Sequence, residues 1–341
     1  METLWFCLVA VMIAFYVILD GFDIGAGIVH LFVARTDAER QQVFASIGPV
    51  WDGNEVWLLA AGGTLYFAFP ELYASSFSGF YLPLMMVLWL LILRGLSIEL
   101  RSHVAADLWK SFWDVAFALA STLLAVFFGA ALGNVVRGVP LDSSGYFFLP
   151  LWTSFLPDRT PGILDWFTVS IGIAAALALT MHGALWIALK TEGEIQERAK
   201  RCSRLAWWGV IVFTALITIL SFRVQPHLAQ SFAGYPLGYV FPLLALAGLL
   251  GVRLWDAQQT ELLTFLASSA YICGMLTSAA FGVYPYVLPS VGDPKLGLDI
   301  YNSSAAHYGL AIGLRWWILG MALAAGYFFY VYRHFAGKVT R

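Results

Sequence analysis

Apolar residues come in long runs along this chain, separated by short stretches that are polar or rich in proline and glycine. A helix needs about 20 apolar residues to cross a bilayer, and the runs predict about nine spans. These are Leu4–Leu31, Trp51–Phe69, Gly79–Glu99, Val115–Asn134, Trp166–Leu189, Ala206–Phe222, Leu237–Leu254, Leu262–Tyr284 and Tyr308–Tyr332. The second is the weakest, being short and carrying Gly62 and Gly63. The first exceeds one bilayer, so it should tilt or protrude. The expected fold is all-α and polytopic, a single integral membrane domain over 1–341. Its parts are a first helical bundle (1–136), an outer connecting loop (137–165) and a second group of helices (166–341).

Composition agrees. Of 341 residues, 60% are hydrophobic and 12% charged, against roughly 25% charged in soluble domains. A net charge of -2 gives no reason to expect nucleic acid as a partner. Cys7, Cys202 and Cys273 are too far apart for a metal-ligand spacing, and Cys7 and Cys273 read as buried packing thiols. The N-terminus lacks a positive leader region, so the first run is expected to remain as a helix in the membrane.

Loops after odd-numbered spans hold Arg35, Arg40, Arg101, Lys110, Lys190, Arg198, Lys200, Arg201, Arg204 and Arg253, with Arg333, Lys338 and Arg341 at the tail. Loops after even-numbered spans hold only Arg137, Arg159, Arg223 and Lys295. The positive-inside rule then sets the N-terminus outside and the C-terminus in the cytoplasm, which an odd span count also requires. Lys190–Arg204 reads as a solvated cytoplasmic connector. Val135–Asp165, with Pro140, Pro150, Pro157 and Pro161, reads as an outer loop along the membrane surface, where Trp152 and Phe155 suit an interfacial belt.

Ionisable residues beside hydrocarbon are costly and point to function. Asp52 and Glu55 stand three positions apart at the mouth of the second span, on one face if the helix starts by Trp51. Asp20 and Asp23 repeat that spacing late in the first span. With Arg94 and Glu99 on the third, three polar clusters reach one depth on the cytoplasmic side. Burial disfavours a charged carboxylate and a neighbouring arginine favours it. A carboxylate balanced between the two can relay protons. An ion-pair network that only ties helices together is the structural alternative. Arg94 is five positions from Glu99 and does not share its face, so its partner should be a carboxylate on span one or two. Glu99 and Arg101 fit the interface, where long side chains snorkel. Gly21 and Gly25 permit close helix approach. His30, His182 and His307 lie within spans; only His30 and His182 share a depth, and packing suits them better than axial haem ligation. Arg315 should reach the outer interface or a buried partner. No phosphate loop, nucleophile triad or metal-ligand cluster is visible.

The block GPVWDGNEVWLLAAGGTLYFAFPELYASSFSGFYLPL, with Leu93-Arg94-Gly95 and Glu99-Leu100-Arg101, resembles subunit II of the cytochrome bd-type (or cyanide-insensitive) quinol oxidases. So do the Asp20–Gly27 block, His182-Gly-Ala, Lys190-Thr-Glu-Gly, Phe281–Ser290 and Leu298–Ala305, in the family's order over nearly the whole chain. The resemblance implies two four-helix bundles plus a peripheral helix in a bacterial cytoplasmic (inner) membrane. It implies a haem-bearing partner, subunit I, with haems b558, b595 and d, and admits small single-helix subunits and membrane lipid. This chain is then a non-haem subunit of a terminal oxidase that takes electrons from quinol. It supports assembly and offers a cytoplasmic proton route through Asp52, with Asp20 and Asp23 important beside it; the residue pattern above adds Glu55, Arg94 and Glu99 to that expected pathway, and a quinone is expected near Trp51, Trp57 or His182. The loop between spans six and seven is shorter than usual in the family. A proton-coupled secondary transporter is the rival reading, but inverted repeats and helices broken at midplane are not evident. A purely structural assembly subunit is a third.

Overall fold

The computed structural model describes residues 1–158 and 160–339. Arg159 and Arg341, counted above among the basic residues, lie outside the described residues. The chain forms α1 (Glu2–Val33), α2 (Asp37–Ile47), α3 (Trp51–Ala68), α4 (Pro70–Gly79), α5 (Tyr81–Leu100) and α6 (Asp107–Arg137). After a long connector come α7 (Trp166–Lys190), α8 (Gly193–Val224), α9 (His227–Gly234), α10 (Val240–Ala257), α11 (Glu261–Val283) and α12 (His307–His334). A short antiparallel pair, β1 (Tyr286–Leu288) and β2 (Leu298–Asp299), caps one end.

Eight helices among the described residues are long and apolar enough to cross a membrane. The helix at the second expected span, α3, is not one of them, because Asp52, Asn54 and Glu55 make its first turn polar. Its length of 18 residues nonetheless gives about 27 Å at 1.5 Å per residue. It runs antiparallel to α1: Asn54 meets Asp23 near one end, and Thr64 approaches Met12 further along.

The start of α1 and the start of α12 lie together, since the Trp5 indole donates to the Leu310 carbonyl. The end of α12 lies at the other end of the molecule, where Lys190 donates to the Phe335 carbonyl. Termini at opposite ends require an odd number of traverses, which the eight apolar helices plus α3 supply. The end that holds Arg40, Arg101, Lys190, Arg198 and Lys338 is called the basic end below.

Helices α1, α3, α5 and α6 form one four-helix group and α7, α8, α10 and α11 a second, with α12 peripheral: Leu310 alone is buried along it. The two groups meet along α7, which packs against both α1 and α6; the α1–α7 crossing is the tighter. A Cβ on Gly25 would stand 2.0 Å from the Leu179 carbonyl oxygen, and one on Gly183 would stand 2.1 Å from the Gly25 backbone. Only glycine fits at that crossing, and it lets the backbones touch.

Several expectations change. Only Thr191 and Glu192 connect α7 to α8; the rest of the expected connector is the first turns of α8, whose helix-forming residues bury Ile195 and Ala199. The segment between α8 and α10 is not a bare loop: α9 buries Leu228 and Phe232. Helix α2, started by a Thr36–Glu39 capping box, was not foreseen because it has no apolar run. Cys7 is exposed on the outer face of α1, not buried, and Cys273 is half-buried. Arg101 is buried instead of snorkelling.

Candidate functional site

A buried polar cluster sits between α1, α3 and α5, towards the basic end. Asp20 and Asp23 are one turn apart, so both turn away from α7. Arg94 of α5 donates from Nη1 to Asp20 Oδ1 (2.6 Å) and from Nη2 to Glu55 Oε2 (2.8 Å). Its partners are therefore on spans one and two. Asn54 donates from Nδ2 to Asp23 Oδ2 (2.7 Å) and accepts at Oδ1 from the Tyr332 hydroxyl (2.8 Å). Asp20, Asp23, Asn54 and Arg94 are fully buried, whereas the Glu55 side chain is 26% exposed. Glu55 is thus the cluster's opening to its surroundings.

Two features give the cluster chemical capacity. It holds three carboxylates and one guanidinium, so it carries excess negative charge unless it takes up protons. It also leaves Asp20 Oδ2, Asp23 Oδ1, Arg94 Nε and the Tyr16 hydroxyl buried without a hydrogen-bond partner among the described residues. Such groups are costly in an apolar interior, so water or exchangeable protons would be held there.

The remaining expected site residues fall elsewhere. Asp52 is exposed at the mouth of α3, one turn from Glu55 and outside the buried cluster. Glu99 is exposed, and only its backbone carbonyl meets His103. Trp51 packs by Gly95. Trp57 is buried with Met12 and Tyr16 and stacks on Phe15. His182, on α7, meets α1 on a different face. There its Nε2 donates to the Ile18 carbonyl, its Nδ1 meets Ser268 Oγ, and its ring stacks on Phe265. Trp57 and His182 therefore do not line one site.

Asn54 and Tyr332 were missed because neither titrates near neutral pH; the Asn in WDGN was the available signal. A second cluster was also missed. Asp114 accepts from Arg101 (2.5 Å) and Arg40 (2.8 Å) and lies 2.8 Å from His30 Nε2. Asp114 is one residue before the fourth apolar run, so a span reading discards it. Arg101 also bonds Asp37, which Lys110 shares. Those two cations, Lys110 first, hold the Asp37 carboxyl below its ordinary range.

Both His182 nitrogens are engaged within the chain. His30 stands twelve residues beyond the Ile18 that His182 bonds, about 18 Å along α1. Among the described residues no group of three or more His, Cys, Asp or Glu could hold a metal ion. The residues present do not fit a bis-histidine haem, and no step is derived through one on this chain.

A helical membrane protein that buries a carboxylate-rich cluster around one guanidinium is a polytopic protein built to hold charge inside the bilayer. Residues 1–335 match the family model of cytochrome bd terminal oxidase subunit II, and the chain belongs to that family. It is similar to the probable cytochrome oxidase subunit 2 of Haemophilus influenzae, with 28% identity over 98% of this chain and 94% of that one. It is 26% identical to the cytochrome bd-I ubiquinol oxidase subunit 2 of Escherichia coli K12, over 92% of this chain and 88% of that one. Its fold matches a chain of the bd oxidase of Geobacillus thermodenitrificans, with TM-score 0.76, 18% identity and 98% of each chain covered. The chain is thus a subunit of a terminal quinol oxidase, an oxidoreductase of the inner membrane.

Proposed function

We propose that this chain delivers protons from the basic end to the oxygen-reducing centre of the oxidase and supports assembly of a haem-bearing subunit I. The observation that carries this reading is the buried carboxylate excess at Asp20, Asp23 and Glu55, open to the surroundings only at Glu55. A proton taken up at Asp52 would pass to Glu55 one turn away, and then into the buried carboxylates. Arg94 holds Asp20 and Glu55 in place. Asn54, itself bonded by Tyr332, holds Asp23. The partner's haems b558, b595 and d supply electron transfer and oxygen reduction; quinol supplies the electrons.

Subunit I is proposed to cover the face formed by α3, α5 and α12. Helices α5 and α12 are largely exposed, and exposed Arg315 lies on α12. Lipid would accommodate that charge poorly. A bound quinone beside Trp57 belongs to the same proposal, as do small single-helix subunits on the remaining lipid-facing helices.

The basic end is proposed to face the cytoplasm. A reporter active only in the periplasm should be silent when fused at the C-terminus and active when inserted near Asp142. The reverse pattern would place the carboxylates at the wrong side for cytoplasmic proton supply.

Asp52→Asn tests the entrance. The Asp52 side chain makes no hydrogen bond among the described residues, so the complex should assemble with its full haem spectrum. Oxygen consumption should fall severalfold, and not further, because water at an exposed mouth can partly replace the carboxylate. Unchanged turnover would leave Asp52 as a helix-start residue, its charge merely favourable near the N-terminus of α3.

A further inference from the structure

We propose that the cleft between α8 and α10 near the basic end seats the phosphate head group of an anionic phospholipid. The cleft encloses ≈ 120 Å³ and is walled by Arg204 and Trp208 of α8 and Arg253 and Asp256 of α10. Arg204 Nε stands 3.7 Å and Arg253 Nη1 3.8 Å from the same Asp256 oxygen. Both distances exceed a hydrogen bond. Two guanidinium groups thus share one carboxylate loosely, and the cleft has a net positive charge. Each arginine side chain is about half exposed; Arg204 Nε also donates to the Lys200 carbonyl (3.2 Å), which leaves its terminal nitrogens to meet a ligand. Lys200, a turn before Arg204, is already engaged by Glu261 and Gln259 and adds no free charge.

The setting selects a lipid. The polar first turns of α8 end at Arg204, and α10 ends at Ala257, so the cleft lies at head-group depth. Tryptophan is favoured at that depth. The Trp207 indole donates to the Leu249 carbonyl (2.8 Å) and props the helices across the cleft. Trp208 is exposed above it, and exposed Val212 and Leu250 continue away from it towards the membrane centre, where acyl chains would lie. Basic pockets between transmembrane helices bind anionic head groups, and a guanidinium fork matches two phosphate oxygens. Free phosphate shares the head-group chemistry but would leave this apolar track uncovered. The inference holds whichever end faces the cytoplasm.

Native mass spectrometry of the purified, assembled oxidase tests it, with phosphatidylglycerol, phosphatidylcholine and inorganic phosphate as probes. The wild-type complex should retain phosphatidylglycerol over phosphatidylcholine and keep it in excess inorganic phosphate. The R204Q/R253Q complex should bind phosphatidylglycerol about thirty-fold more weakly. R201Q, which removes a charge outside the cleft, should not change binding. Should the double variant fail to assemble, R253Q alone serves, since its one ion-pair contact is long. Equal retention by wild type and variant, no preference over phosphatidylcholine, or displacement by inorganic phosphate would each overturn the proposal.

Discussion

Arg94→Gln is expected to leave little assembled oxidase in the membrane. Arg94 is fully buried and is the only cation bonded to Asp20 and Glu55 among the described residues. Removing one member of a buried ion pair strands the other charge and costs about 3–5 kcal/mol. Glutamine can donate one hydrogen bond where the guanidinium donates two, and it brings no charge. Three carboxylates would then share a low-dielectric site without a cation. The measurement is the yield of complex with a full haem spectrum, together with its thermal midpoint. Adding Asp20→Asn to Arg94→Gln should recover much of the loss, because the stranded charge goes with it. A single variant as stable as wild type would mean that the cluster is wetter and less demanding than its burial indicates.

The site was legible where charge interrupts an apolar run. Asp20, Asp23, Glu55 and Arg94 stand out because hydrocarbon should exclude them, and the structure brings those four together. The spacing argument that separated Arg94 from Glu99 also located its partners. Two kinds of residue escaped. Asn54 and Tyr332 are neutral, so their polarity is ordinary in sequence and matters only once the buried Asn54 bonds Asp23 and the half-buried Tyr332 bonds Asn54. Asp114 lies just before its apolar run and reads as a loop residue, although the buried Arg101 and His30 and the partly exposed Arg40 converge on it. Asp52, prominent in the motif, is exposed at the first turn of α3, one turn nearer the helix mouth than Glu55 and outside the buried cluster. The fold was legible from run lengths, except for α2, α4 and α9, which are too short or too polar to register as spans.

Asp23→Asn separates proton delivery from mere support, because the two roles give opposite results. Asp23 is fully buried, and among the described residues its side chain is bonded only by Asn54 and its Oδ1 has no partner. It does not pair with Arg94, so its neutralisation strands no cation. Asparagine keeps the shape and can still accept from Asn54, but it cannot take up and release a proton at neutral pH. Removing a negative charge from a cluster that has too many should leave assembly intact or improved. If Asp23 only ties helices together, the variant should lose stability and keep its rate per haem. If it relays protons, the variant should keep its haem and lose turnover by roughly 10²-fold, the lower range for a positioned proton-transfer group. The deficit should widen as pH rises, since protons from bulk water become scarcer. The deciding measurement is therefore quinol-driven oxygen consumption per haem by the purified Asp23→Asn complex across neutral and alkaline pH. A haem-replete complex with slow, pH-sensitive turnover is the expected result; wild-type turnover at every pH with full haem content would contradict proton delivery through this cluster.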